Sequence, residues 1–229
     1  MVNPVDKLKK YLVPGTHVHL VGIGGVSMRP LGLVLQGMGI VVTGSDMSAS
    51  QSTQELIDQG IPVSIGHRAE NILGAKCIIR TAAAHNDNPE IAAARAEGIP
   101  VFERAQAWGV IMQAYKNAVC VSGTHGKTTT TSMVTQILME ANWDPTVMIG
   151  GVLPAIGSGH RVGKGDTVVL ESCEYCDSFL NFFPSLAIIL NVEADHLDYF
   201  KDLKHVQQSF RRFAQLASKD ILVNGDDAN

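Results

Sequence analysis

The sequence predicts an α/β protein made of two successive parallel-sheet units. Short apolar runs alternate with helical segments along the chain. A glycine-rich stretch, Gly22-Ile23-Gly24-Gly25-Val26-Ser27, follows the first run. A second, Gly123-Thr124-His125-Gly126-Lys127-Thr128-Thr129, follows a later one. Apolar strands separated by helices are the pattern of a sheet whose strands run parallel and whose faces are covered by the crossovers.

The elements follow in order. His17–Ile23 reads as the first strand and Ser27–Met38 as a helix with its apolar residues at helical spacing. Ile40–Thr43 is the second strand, Thr53–Gln59 a short helix, and Pro62–Ile65 and Cys77–Thr81 are strands. At Asn88-Pro89-Glu90 a capping side chain precedes a proline whose φ already suits the first helical turn, opening an alanine-rich helix to Glu97. Pro100–Phe102 is a strand and Ala105–Gln113 a helix. The first unit closes at Tyr115-Lys116-Asn117, which sets one domain at 1–117 and a second at 118–229. Ala118–Ser122 begins the second as a strand, followed by a helix over Thr128–Glu140. Strands at Thr167–Leu170, Leu186–Leu190 and Ile221–Val223 and a helix over Val206–Leu216 complete it.

The composition is that of a globular protein: 229 residues, 45% hydrophobic and 17% charged, enough apolar content for a real core. No apolar run approaches the roughly 20 residues that span a bilayer. Met1–Lys10 is polar and mixed in charge, without a signal-peptide core. A cytoplasmic protein with no membrane partner is expected. The 18 basic and 22 acidic side chains leave a net charge of −4, which disfavours a nucleic-acid partner.

The second glycine stretch is the strongest chemical signal. Backbone N–H groups free of bulky side chains can wrap a phosphate at a helix N-terminus, where the helix dipole also favours negative charge. Val119-Cys120-Val121-Ser122 supplies the strand and Gly123 and Gly126 the loop. Lys127 supplies a charge for the β and γ phosphates, and Thr128 a hydroxyl for Mg²⁺. The general spacing would put glycine at position 121, where Val121 stands, so this is a shorter variant of the ATP phosphate loop. Its binding residues are Gly123, Thr124, His125, Gly126, Lys127, Thr128 and Thr129. Residues 1–117 carry 10 basic and 9 acidic side chains, and 118–229 carry 8 and 13. An acidic excess around a phosphate loop suits a nucleotide that arrives with Mg²⁺.

Glu171 ends the run Val168-Val169-Leu170, and Asp195-His196 follow Ile188-Ile189-Leu190-Asn191. In an open α/β sheet, ligands sit beyond the carboxyl ends of the strands, so an acid and a histidine placed there can reach a metal and a reacting phosphate. A pair of solvated loop residues is the alternative. The first glycine stretch resembles a dinucleotide fingerprint with Ser27 in place of the last glycine. Asp46 stands 24 residues beyond Gly22, where an acid meets a ribose hydroxyl. A Rossmann-like unit for a diphosphate-bearing nucleotide follows, with a nicotinamide-dependent, dehydrogenase-like or purely sensory module as the rival. Cys77 and Cys120 lie in apolar runs as buried thiols. Cys173-Glu174-Tyr175-Cys176 has zinc-like spacing but no second ligand pair, so no metal is expected there.

Taken together the motifs resemble the Mur ligase family. The matching stretches are Gly22–Met28, Gly44-Ser45-Asp46, Asp87–Ile91, Pro100–Arg104, Gly123–Thr131, Glu171–Leu180 and Asn191–His196. The resemblance implies a Rossmann-like parallel-sheet N-terminal domain, followed by the first part of a P-loop ATPase α/β domain. It implies that 1–117 holds UDP-N-acetylmuramate through Gly22, Gly24, Gly25, Ser27 and Met28 near the diphosphate, with Ser45, Asp46, His67, Thr81, Ala82 and Arg104 in the same pocket. It implies Lys127, Glu171 and His196 as catalytic residues, Thr128, Glu171 and His196 as Mg²⁺ ligands, and ATP and Mg²⁺ as cofactors. The reaction implied is ATP-driven amide formation through an acyl phosphate, with L-alanine as the amine in a full-length enzyme and a homodimer as a compatible state. A recycling member of the family, which adds a preformed peptide to the same sugar nucleotide, is the alternative. Family members continue beyond such a central domain, so this chain is expected to be an inactive N-terminal portion.

Overall fold

The computed structural model describes residues 4–229; the first three residues of the expected 1–117 domain lie outside the described residues. The chain divides into one unit ending at Val110 and a second running Ile111–Asn229.

The first unit contains α1 (Pro4–Lys9), β1 (His17–Val21), α2 (Met28–Gly37), β2 (Val41–Asp46), α3 (Gln51–Asp58), β3 (Val63–Ile65), β4 (Cys77–Arg80), α4 (Pro89–Ala96) and β5 (Val101–Glu103). Its five strands lie in the order β3-β2-β1-β4-β5, and every neighbouring pair is parallel. The order reverses between β1 and β4, and the loops after these two strands open the crevice where such sheets bind ligands. Val21, Ile72, Ile78, Ile91 and Ala94 pack beneath α4 as a buried cluster. Helix α4 starts where the sequence places it: the Asn88 side chain accepts from the N–H groups of Glu90 and Ile91, with Pro89 inside the first turn. Helix α3 begins earlier than the apolar pattern suggests, because Ser50 and Thr53 form a reciprocal capping box. Strand β2 runs on to Asp46; the turn-like Gly44-Ser45 pair stays extended because β3 pairs with it, Gly44 opposite Val63 and Ser45 opposite Ser64.

Helix α5 (Arg104–Met112) carries the division between the units. The second unit then contains β6 (Asn117–Ser122), α6 (Lys127–Glu140), β7 (Thr146–Leu153), β8 (Ser158–Arg161), β9 (Thr167–Glu171), β10 (Leu186–Ile189), α7 (Leu203–Gln215) and β11 (Asp220–Val223). The strand order is β11-β10-β6-β9-β7-β8, parallel throughout except for the β7–β8 hairpin. Strand β6 is central, so its carboxyl end points the glycine loop into the middle of the sheet edge. Val119, Val121, Val147, Ile149, Val169 and Ile188 form the core under α6. Helix α7 buries Val206, Ser209, Phe210 and Phe213, a single face at helical spacing. Phe179 stacks on Phe213 with ring centroids 4.5 Å apart and meets Phe210 edge-on at 5.3 Å. This clamp fixes the 3-10 turn Tyr175–Asn181 against α7. Among the described residues no helix is long and apolar enough to cross a membrane.

Candidate functional site

In the second unit the phosphate loop leaves β6 at Gly123 and enters α6 at Lys127. Gly123 has φ +140°, and a Cβ there would stand 2.9 Å from the Leu190 Cβ, so only glycine fits between β6 and β10. The loop is tied to the end of β10. Thr124 N–H donates to Asn191 O at 3.0 Å, and the Thr124 hydroxyl accepts from Glu193 N–H at 2.9 Å. The Asn191 side chain accepts from His125 N–H at 2.7 Å and donates to His125 O at 3.1 Å. Thr124 is buried and acts as a brace, while His125, Gly126, Thr128 and Thr129 are exposed at the mouth of the loop.

The Lys127 ammonium reaches back into this loop. Its Nζ donates to Thr124 O at 3.0 Å and lies 3.0 Å from Glu174 Oε2. Glu174 is buried, so this is an ion pair in a desolvated setting, and its carboxylate is the functional group the sequence reading missed. In sequence the segment stands out for its Cys173/Cys176 spacing and as part of the family-like stretch Glu171–Leu180, neither of which marks Glu174 as a partner of Lys127. Around it, Glu174, Asp195 and His196 bring ligand atoms within 4.8 Å of one another. His196 adopts φ +50°, with Nε2 3.9 Å from Glu174 Oε1 and its ring 4.7 Å from the Tyr175 ring.

Glu171 occupies a separate position. Its Oε1 accepts from the Thr128 hydroxyl at 3.0 Å, and its Oε2 accepts from Gly150 N–H at 2.6 Å. The three expected metal ligands therefore fall into two neighbourhoods, Thr128 with Glu171 and His196 with Glu174 and Asp195. The Thr128 hydroxyl and the Glu171 carboxylate are hard oxygen donors, a set that fits Mg²⁺, whereas the His196 imidazole beside Glu174 and Asp195 is a softer nitrogen donor. Cys77 and Cys120 are buried thiols, and burial pushes each up to about 12. No sulfur joins the carboxylate–imidazole group found among the described residues.

In the first unit a cleft of about 500 Å³ lies over the β1–β4 switch point, lined by Gly22, Gly25, Asp46, His67, Thr81 and His85, with others from the 83–88 loop. Gly22 has φ +79°, and a Cβ there would meet Thr81 Cγ2 at 2.6 Å. Gly24 N–H donates to Asp46 Oδ2 at 2.8 Å, so one carboxylate oxygen of Asp46 pins the glycine loop. Gly24, Ser27, Met28, Ser45, Ala82 and Arg104 do not line the cleft. Met28 is buried beneath the loop and Ala82 is exposed beside it. Ser45 is buried below the cleft floor, where its hydroxyl donates to Glu90 Oε2 at 2.6 Å. The 83–88 loop carries no glycine or charge pattern that marks a pocket wall in sequence; Asn88, at its end, signals the start of α4.

Two family models match the chain, the Mur ligase family catalytic domain over residues 17–116 and the Mur ligase middle domain over 121–229. The UDP-N-acetylmuramate–L-alanine ligase of Caldanaerobacter subterraneus is 48% identical over 93% of this chain and 46% of the relative. That of Acetivibrio thermocellus gives the same identity and coverage. The chain thus spans about half the length of the curated relatives it matches. Among solved structures, UDP-N-acetylmuramate–alanine ligase MurC from Thermotoga maritima superposes with a TM-score of 0.84 at 32% identity, covering 92% of this chain and 49% of that one. The UDP-N-acetylmuramate:L-alanyl-γ-D-glutamyl-meso-diaminopimelate ligase of Neisseria meningitides also reaches 0.84, at 26% identity over 93% of this chain and 72% of its own. With a switch-point cleft in one unit, a braced phosphate loop in the other, and both halves matched in order, the chain belongs to the Mur ligase family.

Proposed function

We propose that this chain supplies the sugar-nucleotide and ATP-phosphate portions of an ATP-dependent ligase that joins L-alanine to the lactyl carboxylate of UDP-N-acetylmuramate in peptidoglycan synthesis. On this reading residues 1–117 form the sugar-nucleotide domain and 118–229 the phosphate-loop domain. The observation that carries it is the braced loop Gly123–Thr129, with Lys127 and the Thr128–Glu171 pair at its mouth, in a chain 48% identical to alanine ligases.

The residues divide the work as follows. The loop N–H groups and Lys127 hold the β and γ phosphates of ATP and offset the charge that develops as the γ-phosphoryl group leaves. Thr128 and Glu171 would hold Mg²⁺, with His196, Glu174 and Asp195 forming a second oxygen- and nitrogen-donor position nearby. Bound there, Mg²⁺ would neutralise phosphate charge and fix the phosphoryl group in line with its acceptor. Transfer to the lactyl carboxylate gives an acyl phosphate and ADP. The alanine amine then attacks the acyl carbon, the C–O bond to phosphate breaks, and the amine loses a proton. Gly22, Gly25, Asp46, His67 and Thr81 hold the sugar nucleotide, which brings the carboxylate to the reaction. A cytoplasmic location accords with the need for ATP.

A peptide-recycling ligase is the second reading, supported by the Neisseria structure. The higher identity of the alanine ligases, 48% against 26%, favours the first. Calorimetry with UDP-N-acetylmuramate, ATP–Mg²⁺ and NADH tests the binding assignments; NADH binding without sugar-nucleotide binding would overturn them. Phosphate release by a longer polypeptide carrying this sequence, with L-alanine or the tripeptide as the amine, separates the two ligases.

A further inference from the structure

Glu90 belongs to the first turn of α4 and has no exposed surface. A buried carboxylate needs partners, and this one gathers them from three other elements. Ser45 Oγ donates to Oε2 at 2.6 Å, Asn71 Nδ2 donates to Oε1, and His67 Nδ1 lies 3.1 Å from Oε2. His19 Nε2 stands 3.8 Å away, beyond hydrogen-bond reach, and contributes electrostatically. Burial alone would raise the Glu90 pKa; the His19, Ser45 and Asn71 interactions outweigh it and hold the carboxyl at about 2. Glu90 is therefore an acceptor only.

That fixes a proton. His67 Nδ1 is 3.1 Å from both Ser45 Oγ and Glu90 Oε2. The single Ser45 proton is spent on Glu90, and an ionised carboxylate has none to give. A bare Nδ1 would face two oxygens lone pair to lone pair, so Nδ1 must carry hydrogen. The neutral ring then has Nε2 as a bare acceptor, and His67 lines the cleft.

We propose that Glu90 is a positioning residue for the first unit's cleft: it holds His67 in the Nδ1–H tautomer and thereby presents Nε2 as an acceptor for an N–H or O–H donor on the nucleoside part of the ligand. The proposal rests on reading this cleft as a sugar-nucleotide pocket. Glu90 acts through His67 and touches no ligand itself.

Nitrogen-15 histidine spectra in mildly alkaline solution, with His67 assigned by loss of its signals in His67→Gln, read the tautomer in the wild-type protein without any ligand. The expected result is a protonated Nδ1 and a bare Nε2; an Nε2–H ring would overturn the proposal. With UDP as the probe, Glu90→Gln and His67→Gln are each expected to weaken binding about tenfold, and the double variant no more than His67→Gln alone. Losses that multiply in the double variant would reduce Glu90 to a merely structural role. Should wild-type protein fail to bind UDP, the sugar-nucleotide reading falls, and the tautomer measurement still decides the role of Glu90.

Discussion

Lys127 and Glu174, 47 positions apart in sequence, meet as an ion pair with Nζ 3.0 Å from Oε2, the carboxylate almost wholly buried. The lysine is thus part of the loop's internal structure, in addition to the phosphate charge proposed for it. Removing it leaves a buried carboxylate without its cation. Lys127→Ala should lose most ATP affinity and cost about 3 kcal/mol in stability, the usual size for breaking such a pair. Lys127→Ala/Glu174→Gln should recover part of the stability and none of the affinity. Thermal melts with and without ATP–Mg²⁺ check both; a stable single variant would show that the pair is loosely held.

Gly22 faces Thr81 across the switch point. Gly22→Ala carries a positive-φ penalty of about 1 kcal/mol, plus the Cβ contact with Thr81 Cγ2. Thr81→Ser removes that methyl group and leaves the backbone penalty. The single variant should therefore melt lower and bind UDP-N-acetylmuramate more weakly, with partial recovery in Gly22→Ala/Thr81→Ser. Equal stability of single and double variants would show that the contact is relieved by backbone movement.

The depressed Glu90 carboxyl gives an acid signature. Its stabilisation is fully present above the ordinary glutamate value of 4.5 and is lost as pH falls toward its folded value of about 2. Glu90→Gln should be less stable than wild type at neutral pH, and the gap should close across that window. Urea titrations at a series of pH values measure it. A gap that stays constant would mean that Glu90 stabilises through shape alone.

Asn191 makes two side-chain bonds to His125 and so shapes the phosphate loop from just beyond β10. Asn191→Ala should raise the dissociation constant for ATP–Mg²⁺ about tenfold, equivalent to about 1.4 kcal/mol, while UDP binding in the first unit stays unchanged. Calorimetry with each nucleotide in turn distinguishes this from a general loss of fold.

The signals legible in sequence were local ones. The strand–glycine–helix junctions at Gly22 and Gly123 and the Asn88-Pro89 helix start are each spelled within a few consecutive residues. The partners that complete the sites are distant in sequence: Glu90 lies 45 positions from Ser45, and Asn191 lies 66 from His125. No periodicity announces such pairings. Strands β7 and β8 carry Gly150, Gly151 and Gly159, and glycines inside a strand blur its apolar pattern. Yet Gly150 stays extended and turns its N–H to Glu171, an approach that a side chain there would block. Helix α7 starts before the expected Val206 because Asp202, four positions ahead of its first buried residue, caps it by accepting from His205 N–H.

The bracing of the phosphate loop by Asn191 and Leu190 also sets a schedule. Every residue of the loop has been synthesised by position 129, but Leu190 and Asn191, which mould it, come in the segment just after β10. Loop closure over that distance must precede the contacts that reward it. As the chain emerges from a ribosome, the loop therefore gains its last bracing contacts only after Asn191 has cleared the exit tunnel, 66 residues after His125 of the loop itself.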